Sequence, residues 1–191
     1  DEAASTFGAL ALTGANVAVT ENAATDLAAS TVSGTLGITS AGAVTDSGTL
    51  AITGATTISA SGQDITLDEA ASTFGTLALT GSNVAVTENA AMDLGASTIG
   101  GTANFNSTSN VITDSGTLAI TGATTINAGT ADITLDQAAS TFGALALTGA
   151  NVAVTENAAT DLAASTVSGT LGVTSTGAVT DSGTLAITGA T

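Results

Sequence analysis

The chain repeats itself. The block DEAASTFGALALTGANVAVTENAATDL begins at Asp1, DEAASTFGTLALTGSNVAVTENAAMDL at Asp68 and DQAASTFGALALTGANVAVTENAATDL at Asp136, so the second interval is one residue longer than the first. Residues 1–56 and 136–191 differ at three positions only: Glu2 against Gln137, Ile38 against Val173 and Ala41 against Thr176. Copies this alike each bury an apolar face against the next copy, which points to a stacked repeat architecture. We divide the chain into repeat 1 (1–67), repeat 2 (68–135) and an incomplete repeat 3 (136–191), all parts of one continuous solenoid. The expectation is a segment of a longer polypeptide.

The local pattern is that of short strands. Leu50-Ala51-Ile52-Thr53 and Val17-Ala18-Val19-Thr20 alternate with period two, and β-branched Thr, Val and Ile fill these runs. Gly, Asn and Asp interrupt them every few residues. Asp recurs at 1, 26, 46, 68, 93, 114, 136, 161 and 181. Taking it as the marker of a rung gives units of about 20–25 residues, within the range of stacked repeats. The fold expected is therefore all-β: a parallel β-solenoid with about three short strands per rung and three rungs per repeat. Eight or nine rungs at about 4.8 Å each make a rod of about 40 Å. Inward ladders are expected to run Leu36–Leu50–Leu77 and Ile38–Ile52–Leu79. Phe7, Phe74 and Phe142, once per three rungs, are expected to fill the core without stacking on one another. The middle copy carries one extra residue within GGTANFNSTSNVITDS, where Ala103 and Phe105 replace Leu36 and Ile38 of the first copy. One inward side chain shrinks while its neighbour grows, which conserves core volume.

Composition removes whole classes of function. There is no Lys, Arg, His or Cys, and the formal net charge is -16. Nucleic-acid binding lacks the cations that neutralise phosphate. An anionic membrane surface repels the chain, and Gly, Thr or Ser breaks every apolar run well short of the roughly 18 residues of a spanning helix. Disulfides and thiolate metal sites are absent. No enzyme is expected, because the commonest general bases are missing and repeats so alike build no cleft.

The candidate site is an acidic ladder: Asp26, Asp46, Asp68, Asp93, Asp114, Asp136, Asp161 and Asp181. With rungs in register, Asp26, Asp46 and Asp68 fall near one edge. Like charges about 5 Å apart repel by about 3 kcal/mol at an effective dielectric of 20. Such a row takes divalent cations, Ca²⁺ above all, through carboxylate oxygens, or else forms solvated turns in which Asp satisfies the backbone. Glu21, Glu88 and Glu156 are candidates to join it. Cation-dependent lateral bundling of rods is the corresponding expectation. Thr20, Thr45, Thr53, Thr56 and Thr57 suggest an outward Thr array of the ice-binding kind, or simple strand formers. Asn106-Ser107-Thr108 matches an N-glycosylation acceptor.

The recurring segments GTLAITGATTISASGQDITL and GALALTGANVAVTENAATDL resemble the Ala/Thr/Gly-rich repeat regions of giant secreted bacterial surface proteins. These include filamentous-haemagglutinin-like and autotransporter-type adhesins. The resemblance implies secretion across a Gram-negative-type envelope and an extracellular fibre, stalk or matrix role. Its partners would be itself, end to end or side by side, and, for an adhesin shaft, glycans or cell surfaces.

Overall fold

A computed structural model describes residues 5–191; Asp1, first of the Asp series, lies outside them. Every regular element among the described residues is a strand, 25 in all, the shortest of two residues and the longest of six. Each strand pairs in parallel with strands about one turn away. The β-solenoid expected from the repeats is the fold observed.

Alternation builds the walls. In Leu36–Ser40, Leu36, Ile38 and Ser40 point inward and are buried, while Gly37 and Thr39 face outward. The same rule packs Val84 and Val86, Ala103 and Phe105, and Leu145 and Leu147 into one continuous core. Ala103 and Phe105 are both buried inward neighbours, as their size compensation requires. Backbone N–H and C=O groups pair with the turns above and below, so the short strands gain from stacking what they lack in length.

Two long sheets run the length of the rod, with nine strands on the main path of each. The first passes through Val17–Glu21, Leu36–Ser40 and Thr56–Ser59; the second through Thr25–Leu27, Val44–Asp46 and Ile65–Leu67. A short third strand bridges them at one edge, and a tight turn closes the other. In repeat 1 the bridging strands are Ser30–Val32 and Leu50–Ile52, paired with each other. In repeat 2 they are Ser97–Ile99 and Leu118–Ile120, again paired with each other.

The repeat is not a whole number of turns. Val17 pairs with Leu36, Leu36 with Thr56 and Thr56 with Leu77, each step one residue longer than the step before. Val84, the counterpart of Val17, comes shortly after Leu77 and lies in the other long sheet, between Ile65 and Ala103. Val152, its counterpart in repeat 3, is back in the first sheet, between Ile133 and Leu171. One repeat therefore spans three and a half turns, and successive copies face opposite flanks. The expectation of three longer rungs per repeat is corrected on this point. The Asp-marked units exceed a turn, so Asp does not mark the rung.

Register follows. Leu36 stacks on Thr56 and then Leu77, while Leu50 stacks on Ser30 in the bridging strand. Ile38 stacks on Ile58 and then Leu79, not on Ile52. The two expected aliphatic ladders exist as buried columns with different members.

The inward positions at each edge change size turn by turn. On one edge Gly14 pairs with Val32 and Val32 with Ile52, and Phe74 follows one turn on. Above Phe74 the same edge becomes the turn side, and its column continues Glu88, Ser107, Ala128, Gly149. On the opposite edge the order is Glu21, Ser40, Ala60, Gly81, Ile99, Ile120, Phe142, Glu156. Gly81 sits at a tight place: a Cβ there would meet the Gln63 carbonyl oxygen at 3.0 Å and Ile65 Cδ1 at 3.1 Å. Phe74 and Phe142 are buried on opposite edges, and Phe7, on the first described turn, is 48% exposed.

Candidate functional site

The acidic residues do not stack as a ladder. Asp26 pairs with Thr45, and Thr45 with Thr66, whereas Asp46 pairs with Leu27. The turn that carries Asp26 to Thr45 reaches Asp46 only one residue later. The next turn carries Val44 to Ile65 and Thr45 to Thr66, so Asp68 again falls one residue beyond the place above Asp46. Each Asp thus lies one residue past its predecessor's column, and a one-residue slip in a strand reverses the direction of the side chain. Asp26 faces outward, Asp46 turns toward the core, and Asp68 sits exposed beyond the strand end. The same series repeats as Asp93, Asp114 and Asp136 on the first long sheet, and Asp161 and Asp181 return to the second, which carries Asp26 and Asp46. Among the described residues no three acidic side chains gather closely enough to hold a metal ion.

Four of these Asp side chains, Asp26, Asp46, Asp93 and Asp114, serve the backbone or a neighbouring hydroxyl. Asp46 Oδ1 accepts the Asp68 N–H at 2.9 Å and its Oδ2 the Glu69 N–H at 3.4 Å. Asp114 accepts the N–H groups of Asp136 and Gln137 at 2.8 and 3.4 Å. These carboxylates fasten the chain as it leaves the next turn's strand. Burial pushes both Asp46 and Asp114 above the ordinary carboxylate range; the accepted N–H groups pull them back, and Asp68 and Asp136 push the same way as burial. Ser47 Oγ donates to Asp26 at 2.9 Å, and Thr76 and Ser115 hydroxyls donate to Asp93 at 2.7 and 2.9 Å.

The three Glu are a separate feature. Glu21, Glu88 and Glu156 occupy the inward phase of their strands and are 2%, 0% and 1% exposed. One oxygen of each accepts a backbone N–H from the turn below: Phe7 at 2.7 Å, Phe74 at 2.5 Å and Phe142 at 2.8 Å. At this level the bridging strand gives way to a tight turn, so the Phe N–H has no ladder carbonyl above it. The carboxylate takes that place. The second oxygen of each Glu is buried and has no partner. Burial raises Glu88 to about 7, opposed by the Phe74 N–H. The chain supplies no cation to pair with Glu88, and none of the three reaches the outward Asp residues. The alternation Val17, Val19, Glu21 already marks the position as inward in the sequence.

Thr56 is buried inward, while Thr57 faces out. In the longer turn of repeat 2, Asn106 Oδ1 accepts the Thr108 N–H at 3.3 Å, and Thr108 Oγ1 donates to the Glu88 carbonyl at 3.0 Å. Ser107, the middle residue of the acceptor pattern, is buried. Two hollows of about 680 and 350 Å³ open on the last turns, the smaller lined by Leu162, Leu171 and the exposed Val179.

A tandem array in parallel solenoid turns defines a repeat β-solenoid protein. The chain belongs to the family described as Repeats of unknown function (DUF5649), whose model matches residues 14–80, 81–148 and 149–191. No curated protein and no solved structure matches it.

Proposed function

We propose that this chain is a rigid structural segment of an extracellular fibre, stalk or matrix, whose task is length and stiffness. The observation that carries the reading is the unbroken parallel ladder through near-identical copies, with the core sealed along the flanks. A chain without Lys or Arg gives trypsin-like proteases no cleavage site, which suits a part exposed to such enzymes. The resemblance to secreted bacterial surface repeats points to the same setting.

Electron microscopy of chains with increasing numbers of repeats tests the reading. Contour length is expected to grow by about 17 Å per repeat, three and a half turns at about 4.8 Å, at constant width. A width that grows with repeat number refutes a rod. Antibody labelling of intact source cells tests the location; labelling seen only after lysis refutes it.

A second reading, the shaft of an adhesin, rests on the outward residues of repeat 2. Asn104, Asn106 and Asn127 project from the second sheet where repeat 1 places Gly37, Thr39 and Ser59 on the first. Glycan-array binding that is lost when these Asn are replaced by Thr supports this reading, and a blank array removes it.

A further inference from the structure

The half-turn offset sorts charge along the rod. Up to Glu69, the described acidic residues other than Glu21 (Asp26, Asp46, Asp64, Asp68 and Glu69) lie on the second long sheet or directly beside its strands. At the same height the first sheet presents Ala18, Thr20, Gly37, Thr39, Thr57 and Ser59. One repeat on, the flanks exchange. Asp93, Asp114, Asp132 and Asp136 lie on or beside the first sheet, and the second presents Ala85, Thr87, Asn104 and Thr125. Within each repeat one flank carries outward carboxylates, Asp26, Asp64, Asp68 and Glu69 in the first and Asp93, Asp132 and Asp136 in the second, with Asp46 and Asp114 turned to the core, and the other flank carries small residues, hydroxyls and amides. The only side-chain donors a second copy offers to a carboxylate are hydroxyl and amide groups, since the chain has no Lys, Arg or His.

We infer that the partner of each flank is a second copy of this chain, aligned parallel and in register, first sheet against second sheet. This deepens the structural-rod reading and rests on it. Two copies related by simple translation set the acidic band of each repeat against a neutral, donor-bearing band. A shift of one repeat sets acid on acid, where each pair of carboxylates about 5 Å apart is repelled. The contact is heterologous, so it propagates into a one-rod-thick sheet of fibres instead of closing as a dimer. A flank of this length offers about 600 Å² per partner, from a rod of about 40 Å and strands about 15 Å across, against about 800 Å² in a standard stable interface. Association is therefore weak for this segment and strengthens with each added repeat.

The absence of Cys makes crosslinking clean. Thr39 and Thr45 are exposed, at matching heights on the first and second sheets. Thr39→Cys and Thr45→Cys chains, alone and mixed, are oxidised mildly at high concentration in chelator, with small-angle scattering run alongside. The expected result is a mixed disulfide several-fold more abundant than either homodimer, with the yield rising with repeat number. Predominant Thr39→Cys homodimers or Thr45→Cys homodimers overturn the register, and absence of any crosslink at every length overturns the interface. Scattering separates the two levels of claim. Single rods of constant cross-section without crosslinks leave the rod reading standing, whereas a compact particle removes both.

Discussion

Replacing Glu88 by Gln isolates the effect of one buried acid on the stability of the junction between repeats. In the native chain the Glu88 carboxyl titrates at about 7, raised from 4.5 by burial. The folded chain thus holds this proton more tightly than the unfolded chain. The stability contribution is complete below the unfolded value and is lost as pH rises through the folded one. The free-energy equivalent of that rise is about 3 kcal/mol. The amide of Gln keeps an oxygen for the Phe74 N–H and carries no charge at any pH. In Glu88→Gln the pH-dependent loss at this junction disappears, so at pH 8 the variant is more stable than the native chain, and at pH 5 the two lie within about 1 kcal/mol, the worth of one neutral hydrogen bond. The chain has no Trp or Tyr, so urea unfolding is followed by far-UV circular dichroism at pH 5 and 8. Hydrogen exchange at the Phe74 amide gives the local readout, because a repeat rod can open one segment at a time. Identical pH dependence in the native and Gln chains refutes a raised Glu88 titration at this junction.

Three further substitutions test the packing. Gly54→Ala brings a Cβ to 2.5 Å from the Gly34 carbonyl oxygen one turn away; the turns must move apart there, and a loss of about 1–3 kcal/mol is expected in urea midpoints. Ser109 stands at φ 75° and its neighbour Thr108 at φ 47° in the one-residue-longer turn, so Ser109→Gly relieves strain, and a gain of about 1 kcal/mol is expected as a raised melting temperature. Phe105, fully buried in the second sheet, fills the volume that Ala103 vacates; Phe105→Ala is expected to cost about 3–5 kcal/mol, whereas Phe105→Ile together with Ala103→Leu restores the composition of repeat 1 and recovers most of it.

The strands were legible because alternation is a local property: Leu36, Ile38 and their outward neighbours carry it within a single strand. The stacking of those strands was not. Asp is the most conspicuous recurrent residue, but its spacing exceeds the local turn by one residue at each step, and the pairing partners that reveal this lie a full turn away. The half-turn offset is hidden for the same reason: it appears only when Val17 and Val84 are each assigned a sheet. The buried Glu was readable from its phase after Val17 and Val19. Its charge drew the reading outward, because a lone carboxylate favours solvent or a cation, and the Phe N–H that it serves comes from a turn below, 14 residues earlier. The acidic residues were legible as a recurring feature. Their role as backbone acceptors depends on which N–H groups the turns leave unpaired, and no local spacing encodes that.

A half-integer repeat favours the straightness that a fibre needs. In repeat 1 one edge holds a bridging strand with Val32 and Ile52 inside it and Phe74 one turn on, and the other holds a tight turn over Ser40 and Ala60. Such a cross-section is wide on one side and narrow on the other. If every copy faced the same way, the small tilt between turns would add up with the same sign, and the solenoid would curve into a superhelix, as per-repeat rotations do in other solenoids. Half a turn of offset places the wide edge of each copy beneath the narrow edge of the next, and the tilts cancel every two repeats. The cancellation requires a position where a column that has grown to Phe starts again from a small cross-section. That position is Phe74 beneath Glu88, and Phe142 beneath Glu156. The ladder is interrupted there, one N–H per junction loses its carbonyl, and the Glu side chain reaches down to it from the turn above. The buried acid is thus the cost of reversing the edge, and the same reversal sets an acidic band on alternate flanks.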